Sequence, residues 1–391
     1  MQYRRLGKSD YRASILGFGC MRLPLLKEAE NIKNFFEASM AVDEERALEM
    51  IHHAMEKGVN YFDSAYFYHG GKSERILGKA VKDCRDRVII TTKSPVMMLE
   101  KRDDFDRVLD EQLERLGTDH LDFYLLHGLN RKSWQRSRSL GALEFLDGIV
   151  KDGRARHAGF SFHDDVTIFR EVIDSYDWTI CQIQYNLFDE HVQAGKEGLQ
   201  YAASRGVGVV IMEPLRGGRL TDKIPGEVQK IWDATDPPRT PAEWGLRWVW
   251  NHPEVDLVLS GMSTMDQLKE NIHIAEHAAP DSLSPGEIET VQKVADTYHR
   301  LLKIGCTGCA YCMPCPNEVN IPGIFTLYND YCMFQDLDRC RTMYNVMMPP
   351  DQNASNCIEC GECEEKCPQR IDIVEALKDA HDHLFVEGMG R

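Results

Sequence analysis

A chain of 391 residues, 43% hydrophobic and 28% charged, is long enough for two packed domains. No stretch of it approaches the roughly 18 uninterrupted apolar residues of a membrane span, which excludes the membrane as a partner. Its formal net charge of −16 opposes association with nucleic acid or anionic lipid, both of which would repel it.

Behind the start, Met1 to Gly7, there is no apolar leader, so a cytoplasmic location is expected. Residues 3–15 read as a hairpin turning at Gly7-Lys8-Ser9-Asp10, able to plug one end of a barrel. From there to Ala278, short apolar runs alternate with longer amphipathic ones, the pattern of helices covering a parallel sheet. The spacing predicts strands at 15–20, 59–63, 88–93, 121–126, 155–161, 180–184, 207–212 and 256–260. Between them, Ala47, Ile51, Ala54 and Met55 show helical recurrence, with Gly58 as a stop. After His127, the residues Arg131, Lys132, Trp134, Arg136 and Arg138 read as a loop that attracts an acidic substrate, docks an acidic domain, or is simply solvated. Eight strand–helix units point to an α/β fold, a closed (β/α)8 TIM barrel, over residues 1–283. Ser284, Pro285 and Glu287 supply the first positions of a helix expected over 285–303. Residues 284–303 are therefore read as a linker helix and 304–391 as a small, mainly helical domain.

A carbonyl reductase needs a proton donor beside the carbonyl oxygen, a charge that tunes that donor, and a bound hydride source. Asp63 ends the second strand and Tyr68 follows in Asp63-Ser64-Ala65-Tyr66-Phe67-Tyr68; Lys93 ends the third strand, and His127 the fourth in Leu125-Leu126-His127. All four would project at the barrel's C-terminal face, where active sites of this architecture lie. DxAxxY after strand two, Lys after strand three and LLH after strand four resemble the catalytic tetrad of the aldo-keto reductase family, over roughly residues 1–280. The resemblance implies an enzyme, an NAD(P)-dependent oxidoreductase acting on an aldehyde or ketone, or on the alcohol in reverse. It makes Tyr68 the general acid, has Lys93 lower its pKa, pairs Asp63 with Lys93, and has His127 orient the carbonyl.

By the same resemblance, Ser161 and Gln182 hold the nicotinamide carboxamide, while Phe162 replaces the family's Asn and Met212 its stacking aromatic residue. Glu213-Pro214-Leu215-Arg216-Gly217-Gly218-Arg219-Leu220 is similar to the loop that clasps the pyrophosphate, with Pro214, Leu215 and Gly217 as contacts. Ser263, Gln267, Glu270 and Asn271 fall in the adenosine-phosphate segment. Gly261 and Gln267 stand where NADP-preferring relatives carry Lys and Arg, so NADH is open beside NADPH. The alternative for this stretch is a helix start capped by Ser263 or Thr264.

Ten of the thirteen cysteines follow position 305, eight of them in two tight runs, which points to metal in a reducing compartment rather than disulfides. The runs are Cys306, Cys309, Cys312 and Cys315-Pro316, and Cys357, Cys360, Cys363 and Cys367-Pro368. The second has the CxxCxxCxxxCP pattern of bacterial ferredoxins; the first has two residues instead of three before its last Cys-Pro. The resemblance implies two [4Fe-4S] clusters with crossed ligation, Cys306, Cys309, Cys312 and Cys367 on one and Cys357, Cys360, Cys363 and Cys315 on the other. Structural zinc is the alternative for paired CxxC motifs. Cys20, Cys84, Cys181, Cys332 and Cys340 read as packing residues, and a helix should begin at Ile321-Pro322. Residues 301–391 carry 7 Lys/Arg against 14 Asp/Glu, negative surroundings that oppose adding an electron and should lower cluster potentials. The expected whole is an oxidoreductase whose clusters pass electrons to or from the barrel or an external electron carrier. The alternatives are an electron-transfer module with the barrel as docking scaffold, and clusters that act purely as structural staples.

Overall fold

The computed structural model of the protein describes residues 1–27, 39–308 and 311–389. An antiparallel hairpin of β1 (Tyr3–Arg5) and β2 (Arg12–Ser14) precedes eight parallel strands: β3 (Leu16–Gly19), β4 (Tyr61–Asp63), β5 (Ile89–Ser94), β6 (Leu121–Leu129), β7 (Ala155–Phe162), β8 (Ile180–Gln184), β9 (Gly208–Met212) and β10 (Leu257–Ser260). Neighbours in sequence are neighbours in the sheet, and β10 pairs with β3 to close the barrel. Every predicted strand is present. Both faces are covered, by side chains within and helices without, so even the three residues of β4 are all buried and the strands read as apolar runs instead of alternating ones. Among the described residues no helix is long and apolar enough to cross a membrane.

Strand β6 runs further than its apolar core, to Leu129. Its register against β7 shifts between Leu126 and Leu129, with Gly128 at φ +61°. Irregularities of this kind re-aim side chains at the rim of a barrel, and His127 lies in this one. The basic segment after it is not a loop. It is the helix Arg131–Ser139, started by a reciprocal capping box between Asn130 and Ser133. Its three arginines are engaged by neighbours: Arg131 pairs with Asp165 at 3.7 Å, Arg138 with Glu171 at 3.4 Å, and Arg136 Nε donates to the Leu99 carbonyl at 2.9 Å.

The hairpin closes the N-terminal end of the barrel. Leu6 and Ala13 join the interior cluster of Tyr61, Phe123, Ile180 and Val210. Gly7, at φ +53°, comes so close that a Cβ there would lie 2.2 Å from the Thr179 carbonyl oxygen, and its N–H donates to Asp256 Oδ2 at 3.0 Å. Burial raises the Asp256 carboxyl to about 6, against the backbone hydrogen bonds and the Arg4 charge that pull it down. A carboxyl raised in this way contributes its stability fully below the unfolded value of about 3.9, and the contribution is lost as pH rises through the folded value. Asp256→Asn, which keeps an acceptor for Gly7, should therefore raise the melting temperature at about pH 8 and change it little at about pH 3, below the unfolded value. Calorimetric scans at the two pH values test this; equal shifts at both would show that the ionised carboxylate is not the cost.

By internal contacts the chain forms two units, Met1–Gly217 with Thr240–Ile288, and Gly218–Arg239 with Glu289–Arg391. The second thus takes in the excursion after β9, which a contiguous boundary leaves with the barrel. The helix Pro285–Arg300 ends slightly before the expected Lys303. Within the second unit the helices Ile321–Phe334 and Ile373–Leu384 bury Ile324, Phe325, Tyr328, Leu377 and Leu384 in one core, and Asn320 caps the first by accepting from Gly323 N. Arg219 pairs with buried Asp330 and, at 3.3 Å, with Asp336. Among the cysteines read as packing residues, Cys20, Cys181 and Cys340 are buried, and Cys84 Sγ lies 3.7 Å from Met55 Sδ.

Candidate functional site

The strand ends bring Asp63, Tyr68, Lys93 and His127 together, because adjacent strands set Asp63 beside Thr91 and Lys93 beside Leu125. Lys93, 1% exposed, donates to Asp63 Oδ1 at 2.5 Å and to the Ser64 carbonyl at 2.7 Å. Its ammonium stands 5.1 Å from the centre of the Tyr68 ring. The His127 imidazole meets the Tyr68 ring at 5.8 Å and 82° and stacks with Phe67 at 4.8 Å and 4°. His127 Nδ1 is buried with no hydrogen-bond partner among the described residues, an unmet polar group that a bound carbonyl compound or water can satisfy.

Burial pushes the Tyr68 phenol above its ordinary value. The Lys93 ammonium pulls it down, in the direction expected from the sequence, but burial outweighs it. The reason is that a low dielectric penalises the phenolate strongly, while the ammonium is shared with Asp63. Burial likewise works against the charge on Lys93, yet Asp63 and Tyr68 outweigh it and leave the amine raised. His127 is held well below its ordinary value, first by burial and then by the Lys93 charge, so its imidazole is neutral at pH 7.

Around this group, Gln182 Nε2 donates to Asp63 Oδ2 at 2.6 Å, and Ser161 Oγ accepts from Gly128 N at 2.7 Å. Met212 ends β9 half-buried. Just beyond it, Glu213, Arg216, Gly217 and Gly218 all have positive φ, the kind of backbone from which anion-binding nests are built. Asp189 fixes the turn by accepting from Arg216 Nε at 3.0 Å. Pro214 and Leu215 lie between, and Gly245 leaves room for Leu215, since a Cβ there would come within 2.6 Å of it. After β10 it is Thr264 that caps the helix Met265–His277, in a box with Gln267; Ser263 Oγ donates to the Arg22 carbonyl at 3.0 Å. Asn271 donates to Ser260 Oγ at 2.9 Å, and Glu270 accepts from Thr240 Oγ1 at 2.7 Å. The side chain of Arg22 lies against Gly261, whose Cβ would be 3.1 Å from Arg22 Cδ. The left-handed turn and this cation fit an anionic dinucleotide.

In the second unit the cysteines line two cavities. Cys315, Cys357, Cys360 and Cys363 line one; Cys306 and Cys367 line another, and Cys312 stands in the wall of both. Cys309 lies outside the described residues. The last cysteine of each run thus sits with the other run. Zinc–sulfur bonds of about 2.3 Å put sulfurs about 3.8 Å apart. Among the described residues, which leave out Cys309, no three cysteine sulfurs lie within 4.8 Å of one another, a spacing that fits a larger group. They also pack against the core of Ile321, Phe325, Ile373 and Leu377, and Gly308 N donates to Cys306 Sγ at 3.4 Å.

Residues 16–296 match the Aldo/keto reductase family. The chain belongs to this family. Residues 305–371 of this aldo/keto reductase match the 4Fe-4S dicluster domain. The oxidoreductase YqkF of Bacillus subtilis is 25% identical over 304 residues, covering 70% of this chain and 91% of its own. The NADH-specific methylglyoxal reductase of Escherichia coli is 24% identical over 307 residues, covering 66% and 90%. An aldo-keto reductase of Bacillus halodurans, in its holo form, superposes with a TM-score of 0.62 at 27% identity, covering 75% of this chain and 96% of its own. These relatives are nearly covered while a quarter or more of this chain is not, so this aldo/keto reductase extends beyond what it shares with them.

Sequence reading of this aldo/keto reductase missed Phe67 beside His127, the Gln182–Asp63 bond, and Arg22 near Gly261. It also missed the support beneath Lys93. Gln112 Nε2 donates to the Lys93 carbonyl at 3.1 Å and to Glu74 Oε1 at 2.7 Å, and Glu74 is fully buried against Arg115 at 3.0 Å. A glutamate amid the apolar face of a helix was the available signal, since a buried charge requires such partners.

Proposed function

We propose that the barrel reduces an aldehyde or ketone with NADH or NADPH, or oxidises the alcohol in reverse, and that the C-terminal region, residues 304–391, holds two [4Fe-4S] clusters that exchange electrons with an external carrier. The observation that carries the first part is the buried Lys93 ammonium between Asp63 and the Tyr68 ring. A bound nicotinamide supplies or accepts the hydride. Tyr68, kept protonated by burial, gives its proton to the carbonyl oxygen as the alcohol forms, and Lys93 stabilises the phenolate that remains. Asp63 holds Lys93, Gln182 holds Asp63, and neutral His127 orients the oxygen. The dinucleotide would lie along Ser161, Met212, Pro214, Leu215 and Gly217 towards Ser263, Gln267, Glu270 and Asn271; the positive-φ backbone after β9 supports that path.

For the clusters, the cavity linings support crossed ligation, with Cys306, Cys309, Cys312 and Cys367 around one and Cys315, Cys357, Cys360 and Cys363 around the other. When bound, the clusters supply one-electron centres. Cys360 is exposed and Ile358 is 61% exposed, which supports access for a carrier at the second cavity. Protein purified without oxygen should contain about eight iron atoms per chain, and a reduced coenzyme should bleach the cluster absorption. Iron that a chemical reductant reduces but neither coenzyme does would separate the clusters from the barrel chemistry.

The missing cations at Gly261 and Gln267, and the relative described as NADH-specific, favour NADH. In fluorescence titrations NADH should bind at least as tightly as NADPH. Tighter binding of NADPH that disappears in Arg22→Ala would instead hand the discrimination to Arg22.

A further inference from the structure

The last turn of the helix Met265–His277 carries a group that the proposed reaction does not use. One imidazole nitrogen each from His273 and His277 and one carboxylate oxygen of Glu276 lie within 4.8 Å of one another on exposed surface. Their i, i+3, i+4 spacing puts all three on one helix face. The His277 Nδ1 lies 2.8 Å from the His273 carbonyl oxygen. A carbonyl can only accept, so Nδ1 carries a proton, which leaves Nε2 as the nitrogen that can ligate a metal. The two rings stand 4.7 Å apart at 56°, near enough for one ion to engage both.

The position favours a cation. It is the C-terminal end of a helix, where the backbone dipole is negative. That end is also held in place, because the Gln2 amide donates to the carbonyls of Ala275 at 3.3 Å, Glu276 at 3.1 Å and Ala278 at 2.5 Å. The amino group of Met1, 3.7 Å from Glu276 Oε1, is the cation now beside the carboxylate.

We propose that His273, Glu276 and His277 bind one divalent transition cation of the zinc class. Two imidazoles and a carboxylate suit zinc or nickel better than calcium or magnesium, which prefer oxygen alone. Three ligands on one helix leave a fourth position open to water or to a side chain of another molecule.

The test uses the holoprotein with its iron content verified. It is given one equivalent of Zn²⁺, washed, and examined for zinc content and by X-ray absorption at the zinc edge. The expected result is one added zinc with a nitrogen and oxygen shell at about 2.0–2.1 Å. The double variant His273→Ala/His277→Ala, altered only at exposed positions, should bind at least tenfold more weakly with unchanged iron content and circular dichroism, and Glu276→Gln should fall between. A sulfur shell near 2.3 Å would assign the zinc to the cysteine runs and overturn the proposal. Equal uptake by the double variant would overturn it as well.

Discussion

Replacing Tyr68 by Phe should lower kcat for carbonyl reduction by about 10³-fold, the middle of the range that a positioned general acid contributes. Affinity for NADH or NADPH should be nearly unchanged, because only a hydroxyl is removed and the dinucleotide path is formed by other residues. The fold should hold, since Lys93 keeps both Asp63 and the Ser64 carbonyl as partners. The wild-type pH profile gives a second reading of the same residue. An acid works while protonated and fails as pH rises through its pKa; burial raises the Tyr68 phenol, so the rate of reduction should fall only above the ordinary tyrosine range near ~10. The neutral state of His127 imposes no limb near pH 7. Unchanged turnover in Tyr68→Phe would remove the residue from the mechanism, and a wild-type rate already falling between about pH 6 and 8 would move the acid role to a histidine.

The second large effect is expected from Cys367→Ala. Although Cys367 belongs to the second cysteine run, its side chain lines the cavity of Cys306 and Cys312. Loss of its thiolate should therefore damage the cluster of the first run before that of its own, and iron should fall towards half or less. The second unit should become protease-sensitive while the barrel persists. Its thiols pack against a small core, and a small domain whose metal binding is part of its folding free energy loosens when the metal leaves. Cys360→Ala should strike the other cluster first. Iron analysis, cluster-resolved spectroscopy and limited proteolysis would read all of this. A Cys367→Ala protein perturbed only in a cluster held by Cys357, Cys360 and Cys363 would overturn the crossed assignment, and full iron with an unchanged spectrum would show that Cys367 is no ligand.

What the amino-acid sequence determined by itself is whatever depends on local spacing. Strand–helix alternation dictates the eight-stranded barrel, because each buried parallel strand must be apolar on both faces. The residues at strand ends follow from that alternation, since barrel geometry carries them to a single face, and the intervals of the two cysteine runs point to a metal group and resemble those of ferredoxins. Only the tertiary structure decided how those groups are tuned and supported. Gln182 bonds to Asp63 from β8, and Arg22 approaches Gly261 across more than two hundred residues; neither contact has a local signal. The phenol of Tyr68 ends up raised although Lys93 lies beside it, because the balance between burial and charge is a property of the closed site and not of a motif. The residues after His127 read as a loop, and the folded chain makes them a helix started by the capping pair Asn130 and Ser133. The excursion Gly218–Arg239 belongs to the second unit, where Arg219 pairs with Asp330 and Asp336, a pairing over more than a hundred residues that only the folded chain can make.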